Sequence, residues 1–93
     1  MAKVKSVRNE KNIEVEYLLL TAQDLILSAM NEQEISKSEL ARRLGVSPAN
    51  VTQLLSGDRN LTLKTLADIA YVLGLRVSLD LTPIARLAYE NAR

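Results

Sequence analysis

Between Ser47 and Gly57 the chain reads Pro48-Ala49-Asn50-Val51-Thr52-Gln53-Leu54-Leu55-Ser56. Ser47 suits the cap of a helix and Pro48 its first position, where a missing amide proton costs nothing; Gly57 stops it. At about 100° per residue, Val51, Leu54 and Leu55 share one side of that helix, whereas Ala49 and Gln53 fall within about 20° of the opposite pole. Asn50, Thr52 and Ser56 flank them. The outward face is uncharged, short in side chain and rich in paired donors and acceptors, where a merely solvated face more often carries Glu and Lys. Such groups suit the edges of base pairs in a major groove of double-stranded DNA. Gln53 can bridge N6 and N7 of adenine, Thr52 offers a hydroxyl, and Ala49 leaves room for a thymine methyl. Asn50 can read adenine at the groove edge or make a local capping contact. No Arg or Lys lies between Ser47 and Gly57 to read guanine, so the expected half-site leans towards A·T pairs.

Other chemistry is largely excluded. The absence of Cys and His removes disulfides, Cys or His zinc sites, thiol nucleophiles and every triad with an imidazole base. A carboxylate pair would need a substrate cleft, and a chain with 3% aromatic residues and no Trp or Phe has little to line one. We therefore expect no enzyme, no cofactor and no metal. No apolar run approaches the roughly 18 residues of a membrane helix, and no signal-peptide segment follows Met1. The expected location is cytoplasmic, away from membranes. With 93 residues the chain allows one domain and a small core, which makes dimerisation a natural source of stability.

Charge is unevenly distributed although the net value is only +1. Residues 1–12 carry +3, residues 13–34 carry −5 with no Lys or Arg, and residues 37–64 carry +3. One face should be basic and another acidic.

The elements that position the outward face follow from spacing and end signals. Residues 1–12 read as a flexible basic arm. A first helix is expected from Ile13 to about Asn31, capped by Asn12, with a stripe of Val15, Leu18, Leu19, Ala22, Leu25, Ile26, Ala29 and Met30. Tyr17, Leu20 and Leu27 lie off that stripe, which suggests a second partner surface. Ser36-Lys37-Ser38-Glu39 is a capping box for the second helix, which Gly45 ends. Thr62 caps a fourth helix with Leu63, Leu66, Ile69, Ala70 and Leu73 on its buried face, and Gly74 ends it. Hydrophobic pairs Ile35/Leu40, Val46/Val51 and Leu61/Leu66 sit at staple positions around the three caps. Beyond Gly74, Val77, Leu79 and Leu81 alternate with polar residues as in a strand. A lone strand has no partner in its own chain, so the expected partner is the same strand of a second copy across a dimer axis. Thr82-Pro83 opens a short last helix bearing Ile84, Leu87 and Ala88. The expected organisation is an arm over 1–12, a DNA-binding domain over 13–74 and a dimerisation extension over 75–93.

Only Gly45-Val46-Ser47 joins the second and third helices, so they must cross steeply around a small residue, Ala41, with Leu40, Leu44, Val46, Val51 and Leu54 filling the wedge. This segment, Lys37 to Ser56, resembles the helix-turn-helix of the phage repressor and Cro-like (XRE) family, and the likeness continues through Gly57, Thr62, Leu66, Ile69, Ala70 and Leu73-Gly74. The resemblance implies an all-α, lambda-repressor-like bundle, here with one short C-terminal strand, and a homodimeric transcriptional regulator, repressor-like, on a two-fold-symmetric operator. Lys37, Arg43, Arg59 and Lys64, with Ser47 and Asn60, are then placed to hold phosphates beside the groove. Arg42, beside Glu39, suits such a clamp or a simple ion pair. Lys37 departs from the Gln common at that position, which favours phosphate over base-edge support. Small XRE-type proteins with a short added segment are also similar to HigA-type antitoxins. That likeness implies an alternative, an antitoxin that binds a protein toxin and represses its own operon.

Overall fold

Short helices need their ends satisfied, and this chain largely does so with its own side chains. The computed structural model describes residues 2–56 and 61–84, with side chains from residue 12 onwards. Its described helices are α1 (Ala2–Glu32), α2 (Lys37–Leu44), α3 (Pro48–Ser56) and α4 (Leu63–Val72). The Ser36 hydroxyl accepts from the Glu39 amide, Ser47 from that of Asn50 and Thr62 from that of Thr65, each at 3.1 Å. These are the three expected caps. At the far ends, Gly45 (φ 73°) and Gly74 (φ 74°) take the left-handed conformation. The amide after each glycine then donates back five residues, from Val46 to the Ala41 carbonyl at 3.0 Å and from Leu75 to that of Ala70 at 2.8 Å. α1 closes the same way, with Ile35 donating to the Met30 carbonyl at 2.8 Å, but the left-handed residue is Glu34 (φ 57°). A side chain there costs about 1–2 kcal/mol that glycine would not.

The core gathers one face from each helix. Ile26 and Met30 of α1, Leu40 and Ala41 of α2, Val51, Leu54 and Leu55 of α3, and Ile69 with Leu73 from α4 and its end are buried together. Ile35, Leu44, Leu61 and Leu66 close its margins. Leu63, expected inside, is exposed because it lies in the first turn of α4 at the edge of that stripe.

Four further expectations need correction. α1 starts at Ala2 rather than Ile13, so Asn12 lies within a helix and caps nothing, and the arm expected over 1–12 is helical over 2–12. The reason is local: residues 2–12 contain no Gly or Pro, and Ala, Lys, Arg and Glu favour helix. Second, only half of the capping box forms, because the Glu39 carboxylate turns to two guanidinium groups rather than back to a neutral amide. Third, there is no strand among the described residues. Residues 75–84 carry no regular structure, since the described chain offers no edge with which Val77, Leu79 and Leu81 could pair. Val77 is half-buried, while Leu79 and Leu81 are exposed. Fourth, much of the stripe on the first helix lies outside the core, with Val15, Leu18 and Leu25 exposed, because α1 outruns the bundle. Leu87 and Ala88 of the expected last helix fall outside the described residues, as does Gly57.

Candidate nucleic-acid interface

The position of α3 is set from behind. Ala41 is 1% exposed, and a larger side chain there would hold α2 and α3 apart. Val51, Leu54 and Leu55 anchor the inner side of α3 in the core. Ala49, Thr52 and Gln53 are exposed on its other side, and Asn50 is half-buried. The Asn50 amide donates to both the Ser47 hydroxyl and the Ser47 carbonyl at 3.1 Å, so Asn50 sits in the capping turn. The Ser56 hydroxyl donates to the Gln53 carbonyl at 3.2 Å, an interaction that leaves the Gln53 side-chain amide uncommitted to Ser56.

The cations divide into two groups. Lys37 opens α2 and is exposed. Lys64 lies in the first turn of α4 and donates to Asp68 at 2.8 Å, a solvated pair that raises the Lys64 pKa. Arg42 and Arg43 instead share one carboxylate. Arg42 Nε donates to Glu39 Oε1 at 3.0 Å and Arg43 Nε to Oε2 at 2.9 Å. Arg42, for which two roles stood open, is thus an ion-pair partner of Glu39. Arg43 also donates from Nη1 to the Val72 carbonyl at 3.1 Å, which satisfies an orphan acceptor in the last turn of α4. Ser47 spends its hydroxyl on the cap of α3. Arg59 and Asn60 lie outside the described residues.

The two guanidinium groups, through hydrogen bonds from Arg42 first and Arg43 second, hold the Glu39 carboxyl down at about 2. A depressed carboxyl adds stability that is fully present above the unfolded value, near 4.5, and is lost as pH falls through 2. Glu39→Gln should therefore be less stable than the parent at pH 7, with the gap closing from pH 4.5 downwards. The effect is small and salt-sensitive because the group is solvated. Urea unfolding of both proteins across that range checks it, and an undiminished gap at pH 2 would overturn the assignment.

Sequence reasoning missed the second tie on the end of α4. Gln33 Nε2 donates to the Leu73 carbonyl at 2.8 Å, so residues before α2 and at its end converge on one helix terminus. Only three-dimensional proximity identifies either donor.

With this geometry in view, comparison with known families gives a match. The helix-turn-helix family matches residues 26–80, more than half of the chain. The chain belongs to the helix-turn-helix family of the XRE, Cro-like type. Its domains bind DNA and are non-catalytic. No curated protein and no solved structure matches the chain. Among the described residues no helix is long and apolar enough to cross a membrane.

Proposed function

We propose that the protein is a sequence-specific transcriptional regulator, repressor-like, that binds a two-fold-symmetric operator as a homodimer. One observation carries the reading: α3 turns Ala49, Thr52 and Gln53 to solvent while its apolar side is fixed in the core. Each protomer lays α3 in one of two successive major grooves. Gln53 is the principal reader, Asn50 and Thr52 contact base edges beside it, and Ala49 admits a thymine methyl. Lys37, Arg59 and Lys64 hold phosphates, helped by Ser47 and Asn60, while Arg43 serves the fold. The dimer uses the segment after α4, where Val77, Leu79 and Leu81 alternate with polar residues and gain backbone partners from a second copy.

Binding titrations on specific and random duplexes test the roles. Gln53→Ala should cost about 1–3 kcal/mol on the preferred site and relax specificity at one base position, leaving random-sequence affinity nearly unchanged. Lys64→Ala should weaken all sequences alike. Equal losses on both duplexes for Gln53→Ala would remove α3 as the reader.

A second reading, an antitoxin that binds a protein toxin and represses its own operon, is favoured by the exposure of Tyr17, Leu20 and Leu27 on α1. DNA reading does not use these side chains. The regulator remains the preferred reading because it needs no further partner.

A further inference from the structure

We infer that the middle of α1 pairs antiparallel with α1 of a second copy, along a seam of Val15, Leu18, Ala22 and Leu25. The inference rests on the homodimer reading and names a surface for it that the helix-turn-helix itself does not provide. The family match begins at residue 26, part-way along α1, so about three quarters of this helix lies ahead of the matched region. That part keeps apolar side chains in water: Val15 is 55% exposed, Leu18 64% and Leu25 65%.

The spacing of these residues is three, four and three, the a/d alternation by which two helices interlock. On a regular helix the four side chains fall within an arc of about 80°, and the small Ala22 lets a second helix approach closely. Ile13, Tyr17, Leu20 and Leu27 occupy a separate arc on about the opposite side, so they do not compete for the same partner. Leu18, Ala22 and Leu25 also form one wall of an apolar groove of about 420 Å³ whose other walls come from α4 and residues 75–79. A helix seated on the seam therefore lies against the segment that the homodimer reading already uses.

Charge selects both the occupant and its direction. Residues 1–12 carry +3 and residues 13–32 carry −4, placed end to end along α1. Two parallel copies would set like charge against like. Two antiparallel copies set each basic end beside an acidic stretch, an arrangement that a second copy of this chain supplies without further design. In the register centred on the seam, Val15 faces Leu25 of the partner subunit and Leu18 faces Ala22 of the partner subunit, with residues 8–12 level with residues 28–32 of the partner helix. Those contacts repeat across the two-fold axis.

The chain has no cysteine, so disulfide trapping reports the pairing without background. Single variants Val15→Cys and Leu25→Cys, both at exposed positions, are oxidised separately and as an equimolar mixture, and the wild type is sedimented in parallel. The expected result is a crosslinked dimer in the mixture joining one variant to the other. Neither variant alone should crosslink, because like positions then lie about 15 Å apart along the axis, beyond the roughly 7 Å reach of a disulfide. Self-crosslinking of Val15→Cys would mean parallel helices and overturn the proposal. A dimeric wild type whose variants give no crosslink would overturn it too, while leaving the homodimer reading intact. A monomeric wild type would remove both.

Discussion

Raising the salt from about 50 to 200 mM should weaken operator binding by roughly a thousandfold. The expectation comes from counting phosphate contacts. In the proposed dimer, Lys37, Arg59 and Lys64 of each protomer would put about six cations on phosphates and release condensed counterions, so log K should fall against log salt with a slope of about −5. Arg43 is left out of the count because its guanidinium is bonded to Glu39 and to the Val72 carbonyl. Lys64 stays in, since its bond to Asp68 is made at a side chain 86% exposed and exchanges readily for phosphate. Titrations of one duplex at several salt concentrations measure the slope. A value shallower than about −2 would mean that the clamp is misassigned, and one near −7 would return Arg43 to it.

Leu40→Ala should cost about 2–5 kcal/mol of folding stability, a large share of the roughly 5–15 kcal/mol that holds a domain together. Leu40 is wholly buried, and with Ile69 and Val51 it is among the largest side chains that water does not reach. It stands beside Ala41 where α2 meets α3, so collapse into the cavity would need movement of the capped turn between them. The measurement is urea unfolding at one fixed protein concentration, since any dimer makes apparent stability depend on concentration. A midpoint shift at unchanged slope is the expected form. A loss below about 1 kcal/mol would show that the cluster is not packed as described.

What could be read from the sequence was whatever depends on near neighbours. Ser36, Ser47 and Thr62 cap helices because a hydroxyl reaches an amide three residues ahead wherever the chain goes next. Gly45 and Gly74 end them because a left-handed residue is a local demand. The inner and outer sides of α3 follow from the same periodicity, which is why most of the candidate face was legible. Failures came where a competitor stood elsewhere in the fold. Asn12 has the chemistry of a cap, yet nothing before it breaks a helix. Glu34 takes the conformation that glycine usually marks, so no residue type announced the left-handed turn that closes α1, although the end expected near Asn31 lies one residue from Glu32. Glu39 was paired with an amide on paper and is held by two arginines in space. The alternation after Gly74 described a side-chain pattern, but a strand also requires a neighbour, and periodicity cannot supply one.

α1 contains neither glycine nor proline between Ala2 and Glu32, so it has no built-in hinge. Its inner end is wedged into the bundle by Ile26 and Met30, in the same cluster as the Val51, Leu54 and Leu55 that seat α3. The helix is therefore a lever: a torque applied at its far end reaches the base of α3 without being absorbed on the way. In the proposed dimer, with two such levers clasped, the gap between the two α3 helices would be measured out in turns of protein helix before it is ever expressed as a spacing in base pairs.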